Sequence, residues 1–503
     1  MIVTPRAWSL RGTENGVGRP SFVAEFGLWD ERRIAAAERI ATELDDIDLV
    51  RVVFCDPHGL ARSKTVPAEV FRTVLRNGMD FSAGPFLFDT GHAVAVDFLT
   101  DPGVGVDELR GAGDFVLVPD PCTFQVLPGT GARTAWVQGD EYLRDGSPHP
   151  LSPRGVLGRV LAAYAERDLA PVVGLEVEWY LTRLLGGPPG NTGNGFGRQG
   201  AAPAVEAVNP GYQFNLDASY DSVAQIADPL ALTLMSLGLP LRTMEHESGP
   251  GQLETTFAPM AALDAADAML LLRTQIKRFC RSRGHHASFM TLPRLEGFDS
   301  SGWHLHQSVT STKTDANVFA AGEGPDTISP AGAAYVEGLL SRAREFCLLS
   351  VPTVNGYRRL APEFTLSPTA VDWAYEDRSV MVRVLSGGNS THAENRIGEP
   401  CANPYLSMAA QLHAGLEGMD AGMVADPAAH RPAYPGLPVS LGEALDAFRA
   451  SDRTTELLGA PLKTCLTKLK ESELSRFDAW CAAQRPPPGE VTVWEHREYF
   501  GAF

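Results

Sequence analysis

The amino-acid sequence predicts an α+β fold with a small, β-rich N-terminal domain at residues 1–144 and a large mixed domain at residues 145–503. Three observations support this prediction. Strand-like segments dominate the first third, the segment DGSPHPLSP at 145–153 is typical of a linker, and strands alternate with long helical patterns after it. With 503 residues, the chain is long enough to bury two cores.

The N-terminal elements follow from alternating apolar residues and turn signals. The segment IDLVRVVF (47–54) predicts a strand, DPHG (56–59) a turn, and ARSKTVPA (61–68) a second strand, so the three together predict a hairpin. The segment GDFVLVPD (113–120) predicts a further strand. We therefore expect a small sheet in this domain.

The larger domain is predicted from capping residues and apolar periodicity. Its predicted elements are a helix opening at Ser152-Pro153, a strand at 172–181, a helix from Met260 to Arg283 closed by Gly284, and a helix from Ser329-Pro330 to about Cys347. The Gly- and Pro-rich segment at 186–211 predicts a long loop.

Composition narrows the class of partner. A formal net charge of −18 argues against nucleic acid or an anionic membrane as the main partner and leaves room for cations. No run of 18 apolar residues and no N-terminal apolar h-region is found, so we expect a cytoplasmic protein without a membrane partner. The seven cysteines are scattered and contain no CxxC pair, which disfavours a disulfide framework and a zinc ribbon.

Paired polar side chains recur at a spacing of two in three segments, namely LEVEWYL (Glu176 and Glu178), SGWHLHQSV (His304 and His306) and HAENRIG (Glu394 and Arg396). Residues two apart on a strand point to the same face. Each pair alone also fits a solvated polar face. A combined cluster of glutamates, however, would repel itself unless divalent cations neutralised it, and oxygen ligands with one imidazole suit Mg²⁺ or Mn²⁺ better than zinc.

The segment EHESGPGQLETTF (245–257) adds carboxylates around a turn. Gly249, Pro250 and Gly251 predict a bend that brings Glu247 and Glu254 back toward each other. Such a bend would bring further carboxylates close together.

Arginines are concentrated in a region poor in lysine, at Arg358, Arg359, Arg378, Arg383 and Arg396. Guanidinium groups recognise carboxylates and phosphates, so the set indicates an anion site. Alternatively, these are surface arginines paired with acids nearby in sequence, at Glu363, Glu376 and Asp377. Glutamates that bind metal, together with such an anion site, are what ATP-dependent phosphoryl transfer requires. No GxxxxGK[ST] loop is present, so another fold would hold the nucleotide.

Ordered motifs along nearly the whole chain resemble the glutamine synthetase superfamily, specifically its bacterial type I branch. They are ExE (Glu176–Glu178), ExGPGQxE (Glu247–Glu254), HxxFMxxP (His286–Pro293), SGxHxHQS (Ser301–Ser308), NxYRRL (Asn355–Leu360), RSxxxR (Arg378–Arg383) and ExRxxxxxANPYL (Glu394–Leu406). The resemblance implies a small N-terminal β-grasp domain and a large catalytic domain with an antiparallel sheet flanked by helices. It also implies ATP and Mg²⁺ or Mn²⁺ as cofactors, with glutamate and an amine as substrates.

The resemblance further implies roles for individual residues. Glu178, Glu247 and Glu254 match the ligands of a first metal, and Glu176, His304 and Glu394 match those of a second. Arg359 and Arg396 match the arginines that grip the substrate carboxylate, whereas Arg378 and Arg383 match those facing the transferred phosphoryl group. His306 and Ser308 match positions on the nucleotide side. Arg359, Arg378 and Arg383 are accordingly the catalytic candidates.

Members of the branch are rings in which one subunit completes the site of the next, and two stacked hexamers are typical. The resemblance therefore implies a homododecamer. Asp80, in GMDFSAG, matches the acidic residue that is donated between subunits and is a further catalytic candidate.

Several positions depart from the ammonia-using members. The flap glutamate of those members is replaced by Leu366 or Thr365, depending on the alignment, and Glu363 lies closer to Arg359 than the pattern expects. Trp303 precedes His304, and the family's asparagine-glycine in the acid-substrate pocket becomes Asp299-Ser300, whereas Tyr212 keeps part of the amine pocket. Trp303, Ser300, Tyr212 and Leu366 are thus the candidate specificity residues.

Loss of a carboxylate and gain of an apolar side chain should disfavour ammonium and favour an amine with its own hydrophobic group. The segments ENRIGEP (394–400) and WEHREYF (494–500) are also similar to the γ-glutamyl amine ligases, which include γ-glutamylpolyamine, γ-glutamylethanolamide and γ-glutamylanilide synthetases. The expected function is an ATP-dependent glutamate-amine ligase. An ammonia-dependent glutamine synthetase and a non-catalytic structural member of the fold are the alternatives.

Overall fold

We analysed a computed structural model that describes residues 20–129, 131–186, 193–321, 327–361, 366–424 and 434–503. Its N-terminal strands are β1 (Leu49–Cys55), β2 (Ala61–Pro67), β3 (Met79–Ser82), β4 (Asp114–Pro119), β5 (Gln125–Leu127) and β6 (Thr134–Tyr142). The helices of this part are α1 (Phe22–Phe26), α2 (Glu31–Glu43), α3 (Ala68–Asn77) and α4 (Gly84–Leu87), with 3₁₀ turns at Leu44–Asp46, Asp107–Ala112 and Pro121–Thr123.

The N-terminal strands form one mixed sheet in the order β2-β1-β6-β4-β3, with β5 paired to β6. β1 and β2 form the predicted antiparallel hairpin, in which Leu49 lies opposite Pro67, and β1 runs parallel to β6. The predicted strand at 113–120 is β4. The expectation of a small N-terminal sheet is confirmed.

The larger part contains strands β7 (Leu169–Leu184), β8 (Val205–Ala207), β9 (Leu241–His246), β10 (Gln252–Phe257), β11 (Met260–Ala261), β12 (His285–Ser288), β13 (Trp303–Ser311), β14 (Trp373–Tyr375), β15 (Val382–Leu385) and β16 (His392–Asn395). Its helices are α5 (Pro153–Ala165), α6 (Asp217–Asp221), α7 (Ala224–Ser236), α8 (Ala262–Arg281), α9 (Pro330–Ser350), α10 (Gly356–Arg359), α11 (Pro404–Asp420), α12 (Leu441–Ala450), α13 (Asp452–Leu458), α14 (Ala460–Gln484) and α15 (Val493–Tyr499). A 3₁₀ turn lies at Gly388–Ser390. The α+β class predicted from the sequence is confirmed, whereas the domain boundary at 144/145 stays a prediction.

The second sheet is built around the long strand β7. Its strand order is β14-β15-β16-β13-β7-β10-β9, and most of its pairs are antiparallel. Leu175, Val177 and Trp179 of β7 are buried on one face, on which α5 and α8 pack. Because side chains alternate along a strand, Glu176 and Glu178 point to the opposite face. The sheet therefore presents carboxylates on the side away from these helices.

Capping residues fix the predicted helix starts. The Ser152 hydroxyl accepts a hydrogen bond from the Gly155 N–H at the start of α5, and Ser329 does the same for Gly332 in α9. The helix expected from Met260 begins two residues later, at Ala262, because Met260 and Ala261 pair with β7.

Gly251 makes the turn between β9 and β10 possible. Its φ of +71° is left-handed, and a Cβ there would lie 2.4 Å from the Leu181 carbonyl oxygen. The turn is closed by hydrogen bonds from the Gln252 N–H to the Gly249 carbonyl (3.0 Å) and from the Glu247 N–H to the Gln252 carbonyl (2.8 Å). The predicted bend is confirmed, and Glu247 and Glu254 flank it.

A buried group of ion pairs connects the N-terminal part with helices α5 and α8 of the larger part. Arg154, at the start of α5, donates to Asp120 (2.9 Å), to Asp267 of α8 (2.8 Å) and to Asp140. Arg154, Asp120 and Asp267 are all buried. Arg273 of α8 adds a hydrogen bond to the Gly59 carbonyl in the N-terminal hairpin turn (2.8 Å).

All seven cysteines are free thiols, as the sequence predicts. Within the described ranges, no helix is both long enough and apolar enough to cross a membrane. The predicted loop at 186–211 contains the short strand β8, which pairs with β7, while residues 187–192 lie outside the described part.

Candidate functional site

Strand register places the predicted ligands in two rows across the second sheet. In the first row, Glu254 of β10 lies directly opposite Glu178 of β7 on one side and Glu245 of β9 on the other. In the second, Glu176 of β7 lies opposite His304 of β13. Three like charges in one row are unfavourable without a counter-charge.

His306 of β13 lies opposite Glu394 of β16, and Glu394 lies opposite Arg383 of β15. The two rows and this third set share the polar face of the sheet, because the residues alternate with buried apolar positions. The three pairs with a spacing of two in the sequence thus converge on one site.

An acidic group forms at the β9–β10 end of the site. Ligand oxygens of Glu245, Glu247 and Glu254 lie within 4.8 Å of one another. Glu178, opposite Glu254, is oriented by the Gly302 N–H (2.9 Å) and by the side-chain amide of Gln252 (3.2 Å), both of which donate to its Oε2. The cluster contains Glu247 and Glu254, which the sequence predicted as ligands, and it adds Glu245. Glu178, the third predicted ligand, lies opposite Glu254 in the strand register.

Burial and mutual repulsion raise the pKa values of Glu178, Glu247 and Glu254. Burial, followed by the charges of Glu176 and Glu178, raises the pKa of Glu254 to about 11. Burial and the charge of Glu178 raise the pKa of Glu247 to about 8. The pKa of Glu178 is also raised, chiefly by burial.

A second group contains both histidines. The Glu176 carboxylate contacts His304 Nδ1 through Oε1 (2.5 Å) and His306 Nε2 through Oε2 (3.0 Å). Glu394 Oε1 lies 3.4 Å from His304 Nδ1. Burial opposes ionisation of Glu176, but its two histidine neighbours outweigh this effect and its pKa lies well below the usual range. The predicted set of Glu176, His304 and Glu394 is thus brought together.

Arginines border the second group. Arg383 donates to Glu394 (3.2 Å) and to Glu376 (2.5 Å), and Arg396 donates to the other oxygen of Glu394. Arg359 is buried and donates to the Arg396 carbonyl (2.9 Å), with its Nη2 3.2 Å from His304 Nε2. Burial lowers the pKa of Arg359 to about 10, so it remains cationic at pH 7.

The alternative of surface arginines paired with acids applies only in part. Arg383 does pair with Glu376, but Arg359 and Arg396 are buried among the site residues. Arg378 is exposed, and its charge lowers the pKa of Glu247 against the larger effect of burial. Glu363 and Thr365 lie outside the described residues.

The donor set fits divalent cations. Three glutamates have oxygens that cluster at the acidic end, and next to them one carboxylate lies between two imidazoles. Together they offer hard oxygen ligands and a few nitrogens. The raised pKa values of Glu247 and Glu254 mean that both carboxyl groups bind protons at pH 7. A cation would replace those protons.

The other predicted residues lie around this centre or away from it. Tyr212 is 85 % exposed with a left-handed φ of 94°, Leu366 is 62 % exposed, and Trp303 is only 1 % exposed. The Leu366 carbonyl accepts a hydrogen bond from Arg396 (3.4 Å), and the Ser300 carbonyl accepts one from Gln252 (3.2 Å). Leu366 and Ser300 therefore adjoin the site, while the Trp303 indole is buried in the core.

Asp80 and Ser308 are farther from these contacts. Asp80 lies on β3 of the N-terminal sheet, 3.5 Å from Arg144, and among the described residues none of its contacts reaches the carboxylate groups. Ser308 lies on β13 opposite Val172, two residues beyond His306. The roles predicted for both residues stay predictions.

Three residues that the sequence reasoning did not assign belong to the site. Glu245 joins the acidic group, Gln252 orients Glu178, and His392 Nε2 lies 3.1 Å from His306 Nδ1. Glu245 and Glu247, like His392 and Glu394, share the spacing of two that identified the other pairs. That signal was available for Glu245 and His392, and Gln252 lies two residues before Glu254 within the ExGPGQxE motif.

Comparison with known proteins agrees with this geometry. Residues 150–485 match the family model described as the glutamine synthetase catalytic domain. A γ-glutamylanilide synthase from an Acinetobacter species is 38 % identical, with 95 % of this chain and 98 % of that protein covered.

A glutamine synthetase from Methanosarcina mazei is 30 % identical over 86 % of this chain and 92 % of that protein. A solved structure of a GmaS complex with ADP is 27 % identical and superimposes with a TM-score of 0.71 over 92 % of this chain and 98 % of its own. With a family model that spans most of the chain and relatives that cover nearly all of it, the chain belongs to the glutamine synthetase family.

Proposed function

We propose that this protein is an ATP-dependent ligase that joins the γ-carboxylate of glutamate to an organic amine through a γ-glutamyl phosphate. The observation that carries the proposal is the convergence of six predicted ligands and three arginines on one face of the second sheet. The 38 % identity to a γ-glutamylanilide synthase supports the choice of amine.

In the first step, an oxygen of the γ-carboxylate attacks the terminal phosphorus of ATP. A carboxylate–phosphorus bond forms, the bond to the β-phosphate oxygen breaks, and ADP leaves. Arg383, beside Glu394, and the exposed Arg378 would stabilise the charge on the transferred group. Arg359 and Arg396 would hold the carboxylate of the acid substrate.

Divalent cations would be held by Glu178, Glu247 and Glu254 at one position and by Glu176, His304 and Glu394 at another. When bound, Mg²⁺ or Mn²⁺ supplies positive charge beside the phosphate oxygens and carboxylates. The residues themselves position both substrates in one site, which is worth on the order of 7–11 kcal/mol of the barrier.

In the second step, the amine nitrogen attacks the carbonyl carbon of the acyl phosphate. The amide bond forms, the bond to phosphate breaks, and the departing phosphate takes the proton that the nitrogen loses. Water must be excluded during this step because it would hydrolyse the acyl phosphate.

Two side chains on the amine side, among the described residues, are apolar or aromatic. Leu366 supplies an exposed apolar side chain next to Arg396, and Tyr212 supplies an exposed aromatic ring. The backbone N–H of Tyr212 donates to the Ser248 carbonyl (2.7 Å). An aromatic amine is neutral at pH 7 and needs no base to free its lone pair, so these side chains suit it better than a cation.

The proposal is tested with purified protein, ATP, Mg²⁺, glutamate and an amine panel of ammonium, ethanolamine, putrescine, aniline and cyclohexylamine. Aniline and cyclohexylamine are similar in size but differ in charge at pH 7, so their comparison isolates protonation. We expect phosphate release and the mass of the γ-glutamyl amide with aniline, and at least tenfold slower turnover with ammonium. Amide formation with ammonium alone would instead identify a glutamine synthetase.

Substitutions at Leu366 test the selectivity argument. Leu366→Glu introduces a carboxylate and should shift preference toward ammonium, whereas Leu366→Gln adds polarity without charge and should not. Equal effects of the two variants would contradict the argument. Absence of Mg²⁺-dependent nucleotide binding in calorimetry would point to a non-catalytic member of the fold.

We also propose that the protein assembles as a homododecamer in which Asp80 of one subunit serves the site of its neighbour. Asp80 lies in the N-terminal part, apart from the carboxylate groups of its own chain. Light scattering after gel filtration should give about twelve times the mass of 54.1 kDa, and a monomer would overturn this assignment.

A further inference from the structure

Four buried N–H groups at the junction of the N-terminal sheet and α8 have no hydrogen-bond acceptor among the described residues. They are Arg51 Nε of β1, Trp136 Nε1 of β6, and Gln275 Nε2 and Arg278 Nη1 of α8. Trp136 is 2 % exposed and Gln275 is 3 % exposed. Because nearly all buried polar groups in proteins are paired, four unpaired donors on neighbouring elements indicate a site for an acceptor from outside the chain.

Strand register places two of these donors on the surface that faces α8. Arg51 lies opposite Trp136 in the parallel pair of β1 and β6, so both side chains point to the same face of the N-terminal sheet. Gln138 lies two residues further along β6 and shares that face. Its side-chain amide donates to the Asp267 carbonyl of α8 (3.0 Å), which shows that this face contacts the helix.

Helix periodicity places the other two donors on the side of α8 that faces the sheet. Gln275 and Arg278 follow Asp267 by eight and eleven residues, and these spacings recur on one side of a helix. Burial, followed by the positive charge of Arg51, lowers the pKa of Arg278, so the two guanidinium groups are close enough to repel. The four donors thus lie on the facing surfaces of the sheet and the helix.

The two guanidinium groups also lack an acidic counter-charge. Within the described part of the chain, no carboxylate lies within 4.0 Å of Arg51 or Arg278, and none raises the pKa of Arg278. Arg154, at the same junction, is by contrast paired with three aspartates. Water would satisfy the N–H groups but would leave two like charges unneutralised, whereas an anion would do both.

We propose that Arg51 and Arg278, together with the Trp136 indole and the Gln275 amide, bind a compact dianion of the phosphate class. Two guanidinium groups balance two negative charges, and their planar forks suit phosphate oxygens. Because all four unpaired atoms are donors, the ligand must offer acceptors in several directions, as a tetrahedral oxyanion does. The bound ion would join β1 to α8.

This site is separate from the carboxylate groups. α8 packs on the apolar face of β7, which includes Leu175 and Val177, whereas Glu176 and Glu178 point to the opposite face. The second sheet therefore lies between the two sites. The inference does not rest on the proposed ligase function.

The test is equilibrium dialysis of the full chain against radiolabelled inorganic phosphate, with chelator present and the ionic strength held constant. We expect Arg51→Met and Arg278→Met each to weaken one phosphate site per chain about 10- to 100-fold, because each loses charge-assisted hydrogen bonds. Any phosphate bound by the arginines near the carboxylate groups would remain in both variants.

Arg281→Met is the matched control. Arg281 is an exposed arginine in the last turn of α8, so this variant removes the same charge from the same helix. It should keep the number of bound phosphates and their affinity. Succinate, a dianion without tetrahedral geometry, should compete at least about tenfold less well than sulfate.

Melting temperatures give a second readout and show whether the variants fold. In phosphate-free buffer, Arg51→Met should melt higher than the unaltered protein, because it removes one of two repelling cations. Added phosphate should raise the melting temperature of the unaltered protein more than that of the variant.

The unaltered protein alone can overturn the proposal, if it binds no phosphate below about 10 mM. Equal numbers of bound phosphates in the unaltered protein, Arg51→Met and Arg278→Met would overturn it too, and would leave water as the partner of these donors. Equal competition by succinate and sulfate would overturn the assignment to the phosphate class.

Discussion

Glu254 combines two properties that oppose each other at neutral pH. It lies in a row with two other glutamates, and its pKa of about 11 means that the metal-free protein holds it as a neutral acid. A cation can bind there only by displacing that proton. The residue is thus uncharged in the metal-free protein, and its proposed role as a ligand requires the loss of that proton.

We predict that Glu254→Gln separates these properties. Glutamine has the shape of the protonated acid, so the metal-free melting temperature should stay within a few degrees of the original. The affinity for Mn²⁺ should fall by at least about tenfold, so that Mn²⁺ stabilises the variant less. The formation of the γ-glutamyl amide should be abolished. Differential scanning fluorimetry with and without Mn²⁺ measures both effects.

Glu206→Gln provides the control for this substitution, because Glu206 is an exposed glutamate of β8 that pairs with Arg183 (2.7 Å). It should change neither quantity. Retention of full Mn²⁺ stabilisation by Glu254→Gln would remove this residue from the ligand set.

The strands of the second sheet position most of the side chains in the site. The spacing of two predicted which side chains share a face, and the structure agrees for Glu176 with Glu178 and for His304 with His306. Register was not predictable in the same way. That Glu254 faces Glu178 depends on pairing between strands that are far apart in sequence, which no local pattern specifies.

The turn residues also predicted only part of the local structure. Gly249, Pro250 and Gly251 predicted a bend, but the hydrogen bond from Gln252 to Glu178 depends on how tightly the bend closes. The helix predicted from Met260 began later because tertiary pairing with β7 took its first two residues. Local signals predicted the elements, and contacts between elements decided their ends.

We predict that Gly251→Ala disrupts the acidic group from outside it. The added Cβ would meet the Leu181 carbonyl oxygen at 2.4 Å, in a left-handed conformation, so the turn must shift. Mn²⁺ affinity in calorimetry should fall together with the melting temperature. The backbone term alone costs about 1–2 kcal/mol.

Gly284→Ala isolates that backbone term, since Gly284 also has a left-handed φ, +76°, but has nothing within 4 Å of the added carbon. It should lower stability by about 1–2 kcal/mol and leave Mn²⁺ affinity unchanged. If both variants bind Mn²⁺ normally, the turn does not set the ligand geometry.

For the whole molecule, the clustered carboxyl groups link stability to pH. Glutamates of the unfolded chain have a pKa of about 4.3. In the folded, metal-free protein the pKa values of Glu247 and Glu254 are about 8 and about 11. Between these limits the folded state binds more protons than the unfolded state. These two groups therefore contribute most to the stability of the folded state at low pH. The contribution of Glu247 is lost as the pH rises through 8.

We predict that the melting temperature of chelator-treated protein falls between about pH 6 and about pH 9, and that added Mn²⁺ raises it more at the higher pH. Glu247→Gln should flatten the fall below about pH 8. A melting temperature that rises with pH in the metal-free protein would contradict this linkage.

The buried ion pairs of Arg154 connect the segment after residue 150 with residues that precede it. The segment that matches the family model begins at residue 150, so a polypeptide cut there would retain Asp267 but lose Asp120 and Asp140. It would also lose Gln138, which accepts a hydrogen bond from Tyr405 (2.7 Å). Breaking buried ion pairs in this way costs about 3–5 kcal/mol, a large part of the stability of most proteins. We therefore expect the segment from residue 150 to need the N-terminal sheet in order to fold stably.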